Sequence, residues 1–121
     1  MPYSALPRPP YFVAIVRSMR NAHDEPGYRD ASAQMFEQAR LQPGFLGVHS
    51  VREPGGDGIT LSYWSDEASI RAWRADDAYG VVRETGRRDW YAGYTLQIAR
   101  VDRAYSWDAG DGSADGAVDG D

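Results

Sequence analysis

Trp73 and Tyr79 stand six residues apart in the stretch AWRADDAYG, on either side of the acids Asp76 and Asp77. An indole N–H can donate to a substrate oxygen, and a phenol hydroxyl can donate to one or relay its proton. Both side chains also suit simple core packing, and geometry separates the two readings. On an unbroken helix six residues turn through about 600°, which leaves the two side chains about 120° apart. Either aspartate is a good N-cap for a new helical segment. The stretch therefore predicts a break near residues 75–77, with Tyr79 in the first turn of the second piece. With that break both aromatics reach one cavity; without it at most one does.

The rest of the chemically active inventory is sparse. His23 and His49 are the two histidines, too few for a multi-histidine metal site unless carboxylates help. His49 shares a strand face with Phe45, Gly47 and Val51. It reads as a packed core or interface residue or, if it lines a pocket, as the one side chain whose ordinary pKa suits a general base near neutrality. Arg17 and Ser18 end a candidate strand, where Arg17 could stabilise an oxyanion or sit in a surface ion pair. Trp90, Tyr91 and Tyr94 form an aromatic cluster read as core or subunit contact.

Composition removes several function classes. With no cysteine there are no disulfides, thiolate metal sites or cysteine nucleophiles. All 13 basic residues are arginine, so no lysine Schiff base forms and the usual pyridoxal phosphate linkage is excluded. GVVRETG lacks the paired glycines of a dinucleotide fingerprint and follows no strand. Residues 1–107 carry 13 arginines and 13 acids, so no basic surface announces nucleic acid. No apolar run approaches the roughly 18 residues of a membrane span, and MPYSALPRPPY lacks the hydrophobic stretch of a signal peptide. A cytoplasmic protein is expected, with residues 1–10 as a proline-stiffened arm. The last 14 residues hold five Asp and no base, without the apolar content to fold, so residues 108–121 are expected to be disordered.

The elements that must position these residues follow from pattern and punctuation. YFVAIVRSM (11–19) is rich in β-branched and aromatic residues and reads as a strand. Tyr28, Ala31, Met35 and Ala39 recur at helical spacing after Pro26, and QPG (42–44) stops that helix. FLGVHSVRE and GITLSYW flank the turn PGGDG and predict an antiparallel hairpin. Ile59, Leu61 and Tyr63 share one strand face, while Thr60, Ser62 and Trp64 share the other. A helix over DEASIRAW follows, capped by Ser65, then a second piece to about Arg88 and a final strand over 94–107. The order β-α-β-β-α-β predicts an α+β, ferredoxin-like domain over residues 11–107, with a four-stranded antiparallel sheet and both helices on one face. Trp64 and Val48 are expected on the face that the helices leave bare, where a second copy would bury them.

QPGFLGVHSVRE, GITLSYWSDEASIRAW and GRRDWYAGYTLQIARVDRAYSW resemble the antibiotic biosynthesis monooxygenase family over about residues 11–107. The resemblance implies a homodimeric α+β barrel. It also implies a cofactor-free monooxygenase on an aromatic, polyketide-type small molecule in secondary metabolism, with dioxygen reduced by the deprotonated substrate. A ligand-binding dimer, a cyclase- or isomerase-like enzyme and a haem-binding protein are the alternatives. Some family members carry a Trp and, six positions later, a Tyr that both face the cavity, which implies catalytic roles for Trp73 and Tyr79, joined by His49. Many carry His at the position of Tyr79, and Tyr is a poor base at neutral pH. Haem-degrading relatives place an axial His where this chain has Arg83. Arg17, Ser18, Trp64 and Arg83 are the expected substrate-binding residues, and no cofactor or metal is expected.

Overall fold

The computed structural model describes residues 6–21, 23–54, 56–109 and 116–118. Four strands form the main sheet: β1 (Tyr11–Arg20), β2 (Phe45–Arg52), β3 (Asp57–Trp64) and β4 (Tyr91–Val101). Their spatial order is β2-β3-β1-β4, and every neighbouring pair is antiparallel. Helix α1 (Glu25–Arg40) connects β1 to β2; α2 (Glu67–Arg74) and α3 (Asp77–Thr85) lie between β3 and β4. This is the ferredoxin-like α+β arrangement.

Local chemistry explains the boundaries. Asp24 caps α1, its carboxylate accepting from the Gly27 N–H, and Pro26 occupies the first turn, where its missing N–H costs nothing. Gly44 leads into β2 at φ +83°, and a side chain there would collide with Ser69 as well as straining the backbone. Asp66, one residue beyond the expected Ser65, caps α2: its carboxylate accepts from the Ser69 N–H at 2.7 Å. That bond holds the Asp66 carboxyl below the usual aspartate range.

The helix breaks where the caps predict. Helix α2 ends at Arg74, Ala75 closes it by donating to the Arg71 carbonyl, and Gly80 donates to the Asp76 carbonyl as α3 begins. A single π-helical turn, Gly86–Trp90, then delivers the chain to β4. Strand β4 starts at Tyr91, earlier than the expected residue 94, and stops at Val101. Ala104–Ser106 forms a separate strand, β5, paired with β6 (Gly116–Val118). The tail expected to be disordered thus contributes one paired strand, while residues 110–115 and 119–121 lie outside the described residues, as do residues 1–5 of the arm.

One expectation about the sheet is reversed. Trp64 and Val48 belong to the helix-facing side, not the bare one. Trp64 is fully buried, with its ring 5.2 Å from Trp73 of α2 and 5.4 Å from Phe45. The uncovered side carries Ile59, Leu61 and Tyr63, in register with Arg17, Ile15 and Val13 of β1 and with Val51, His49 and Gly47 of β2. Tyr11 and Val13 are covered at one end of it, while Met19, Val51 and Ile59 are exposed at the other.

Candidate functional site

Between the sheet and the helices lies a cavity of about 470 Å³. Its floor is the inward row of the sheet: Val16 and Ser18 of β1, Ser50 and Arg52 of β2, Thr60 of β3, and Tyr94 and Leu96 of β4. Helix α1 supplies Tyr28, Met35 and Phe36, α2 supplies Trp73, and α3 supplies Tyr79, Val82 and Arg83. A space of this size lined by aromatic and aliphatic groups suits a flat organic molecule.

The break between α2 and α3 brings the opening pair together. Trp73 and Tyr79 meet edge to face, with ring centroids 4.7 Å apart, and both line the cavity. A continuous aromatic row runs Phe45, Trp64, Trp73, Tyr79 from the sheet into the cavity wall. The guanidinium of Arg83 sits 5.7 Å from the Tyr79 ring, extending the row with a cation.

Arg52 is fixed more tightly. It donates to the carbonyls of Ser18 and Gly56 at 3.2 Å and 2.7 Å and to the Ser18 hydroxyl. Its head group lies across Gly58, where a Cβ would come within 2.6 Å of the guanidinium carbon. Only glycine admits this approach. Arg20, whose side chain is fully buried, stacks 4.0 Å from the Tyr28 ring centre, ion-pairs with Glu25 and donates to the Trp90 carbonyl. Tyr28 in turn meets Tyr91 edge to face at 5.8 Å. Burial first, then the nearby Tyr28, push the Tyr91 hydroxyl well above its ordinary value. Tyr91 therefore stays protonated and offers a hydrogen-bond donor at any physiological pH.

The expected site residues divide by sheet face. Trp73, Tyr79, Ser18 and Arg83 line the cavity, and Ser18 is buried. Trp64 backs Trp73 instead, with its indole donating to the Ser62 hydroxyl at 2.9 Å. His49 and Arg17 are not in the cavity. Each alternates with a cavity-lining neighbour, Ser50 and Ser18, and so points from the opposite face. There His49 shares a 3.2 Å hydrogen bond with the Tyr63 hydroxyl. Arg17 makes an exposed ion pair with Asp57 at 2.8 Å, the arrangement that lowers the Asp57 carboxyl. Among the described residues no histidine or carboxylate lines the cavity, and the lining includes the arginines Arg29, Arg52, Arg74 and Arg83. Among the described residues no group of three or more histidines, cysteines or acids could hold a metal ion, and no helix is long and apolar enough to cross a membrane.

Sequence reasoning missed Tyr28, Arg52, Arg74 and Tyr91 as cavity residues. Alternation could have found Arg52, which lies two residues from Ser50 on the inward row. Tyr28 and Tyr91 gave no such signal, because each lies at the end of an element.

Fold and cavity together define a class: a ferredoxin-like domain that encloses an aromatic pocket between its sheet and helices. The model of the antibiotic biosynthesis monooxygenase family matches residues 11–85, and the chain belongs to that family. Protein YqjZ of Bacillus subtilis, itself uncharacterised, is 43% identical over 100 residues, covering 83% of this chain and 87% of that protein. Two solved structures share the fold at low identity. A Nitrosomonas europaea protein named for antibiotic biosynthesis monooxygenases aligns with a TM-score of 0.68 and 15% identity, over 80% of this chain and 95% of that one. SnoaB, a cofactor-independent oxygenase from Streptomyces nogalater, aligns with a TM-score of 0.63 and 17% identity, over 77% and 96%.

Proposed function

We propose that this protein is a cofactor-independent monooxygenase acting on a phenolic, polyketide-type aromatic compound. The observation that carries the reading is the contact of Trp73 with Tyr79 on the wall of a cavity rich in aromatics and arginines. Family membership and the likeness to SnoaB support it.

The chemistry requires an ionised phenol, and no described cavity residue is a base near neutrality. The arginines serve in its place. Positive charge within a few ångströms favours the charged form of an acid, so a bound phenol loses its proton more readily than in water. The phenolate then gives one electron to dioxygen, and the resulting radical and superoxide combine to form a carbon–oxygen bond. The peroxide anion takes up a proton, replacing the one that the phenol released to solvent. The hydroperoxide, formed on a ring carbon that bears hydrogen, loses water: one oxygen atom stays in the product as a carbonyl and the other leaves in water. Tyr79 and Trp73 donate hydrogen bonds to substrate oxygens and fix the ring, and the apolar walls keep water from the intermediates. In this scheme His49 and Arg17 take no direct part.

That the described lining residues include no histidine or carboxylate favours a second reading, a small-ligand-binding dimer without oxygen chemistry. The same experiment separates the two. Chelator-treated protein is given dihydroxyanthrone under isotopically heavy dioxygen. The monooxygenase reading expects protein-dependent oxygen uptake and one heavy oxygen atom in the quinone. Trp73→Phe and Tyr79→Phe should each slow it by roughly 2- to 10-fold, the worth of one neutral hydrogen bond. No protein-dependent uptake leaves the binding reading; uptake unaltered in both variants removes these residues from the site.

The homodimer is proposed on the uncovered sheet face. Val51 and Ile59 are 77% and 47% exposed there, an unusual location for aliphatic residues on a strand surface. A second copy packed on this face would cover them.

A further inference from the structure

We propose that the cavity selects an aromatic carboxylic acid, with Arg74 and Arg83 holding the carboxylate at the rim while the ring system lies against Trp73 and Tyr79. This rests on reading the cavity as the substrate site, and it names a substrate feature which that reading leaves open.

The four cavity arginines are not equivalent. Arg29 is mostly exposed and faces Glu25 at 3.7 Å. Arg52 is held by Ser18 and Gly56. Arg74 and Arg83 remain. The Nε–H of each is buried without a hydrogen-bond partner, as is that of Arg20. The terminal nitrogens of Arg20 are taken by Glu25 and by the Trp90 and His23 carbonyls, whereas among the described residues no ion pair reaches Arg74 or Arg83. A buried guanidinium donor left unpaired costs more than a neutral one, and native proteins rarely leave such a group without a use.

Position points the same way. Arg74 and Arg83 line the cavity and also an open groove beyond α3, where Asp76 and Glu84 are the neighbouring acids. The two arginines thus stand between the aromatic interior and solvent. A ligand with an apolar body and a charged end fits that boundary: its body lies in the cavity and its anion at the rim. The planar guanidinium fork matches the two oxygens of a carboxylate. The stacking of Arg83 near Tyr79 ties the anion-binding end to the ring-binding wall.

The test is a matched pair of probes without oxygen turnover: anthraquinone carboxylate and its neutral hydroxymethyl counterpart, titrated by quenching of tryptophan fluorescence. In the unaltered protein the acid should bind roughly 10- to 100-fold more tightly, as expected for charge-assisted hydrogen bonds. Arg74→Met and Arg83→Met should each reduce that preference, read as the ratio of the two affinities in the same variant, and Arg83→Lys should retain part of it. Arginines that merely stabilise the helices would not change the ratio. Equal binding of the two probes by the unaltered protein overturns the proposal, and so does a preference that survives the double Arg74→Met, Arg83→Met variant. The first comparison needs no variant, so a substitution that fails to fold leaves the proposal testable. Acid preference without heavy-oxygen incorporation would sink the monooxygenase reading alone. Oxygenation of neutral dihydroxyanthrone with no acid preference would sink this proposal alone.

Discussion

The two faces of the sheet are built from alternate residues of the same strands, yet they have opposite characters. The helix side carries Ser18, Ser50, Arg52 and Thr60 with an aromatic wall above them, and it encloses space. The open side carries Ile15, Met19, Val51, Ile59 and Leu61, with one polar contact between His49 and Tyr63 and an edge ion pair from Arg17 to Asp57. The lesson is that polarity does not mark the outside here. The polar row is the enclosed one, with Ser18, Ser50, Arg52 and Thr60 on the cavity floor. The apolar row is the one left uncovered, and it is the face on which the homodimer is proposed.

The largest expected effect comes from removing the support of the enclosed side. Trp64→Ala deletes a fully buried ring that backs both Phe45 and Trp73. It should cost about 3–5 kcal/mol of stability, read from urea denaturation. A loss below about 1 kcal/mol would mean that the aromatic row is not a structural unit.

On the other face, Ile59→Asp places a charge in the exposed part of the apolar row, beside Val51. A symmetric contact would then oppose like charges, at a cost of several kcal/mol, and should fall apart to monomers at micromolar concentration in sedimentation velocity. Binding of ligand in the cavity should persist if both walls come from one chain. An unchanged sedimentation coefficient would show that this face is not the interface.

A smaller effect separates the faces by pH. Tyr91 lies on the enclosed side with its pKa raised in the fold, so the folded state holds the proton more tightly than the unfolded chain. Its contribution is fully present below the ordinary tyrosine value near 10 and is lost as pH rises above that. Tyr91→Phe should flatten the alkaline fall in melting temperature. A fall of equal steepness in the variant would assign it to other tyrosines.

Much of this arrangement was legible in local signals. Asp76 and Asp77 announced the α2–α3 break, PGGDG announced the β2–β3 hairpin, and QPG stopped α1, because caps and turns act over a few residues. The sidedness of the sheet was not legible. Alternation sorts Trp64 from Tyr63 but does not say which row faces the helices, and both rows hold large apolar groups. His49 fell to the wrong side for the same reason. The extension of β4 back to Tyr91 and the π-helical turn before it depend on how Trp90 packs after the chain has folded. Nothing in GRRDW signals that packing by itself.

Gly58 has one more consequence. Because Arg52 lies across its bare α-carbon while gripping the Gly56 carbonyl in the turn, the hairpin loop and the cavity floor form one mechanical part. For protein engineering this makes the loop a remote adjustment. Even an added methyl group at residue 58 would shift the Arg52 charge on the cavity floor, and thereby retune the pocket from a position outside it.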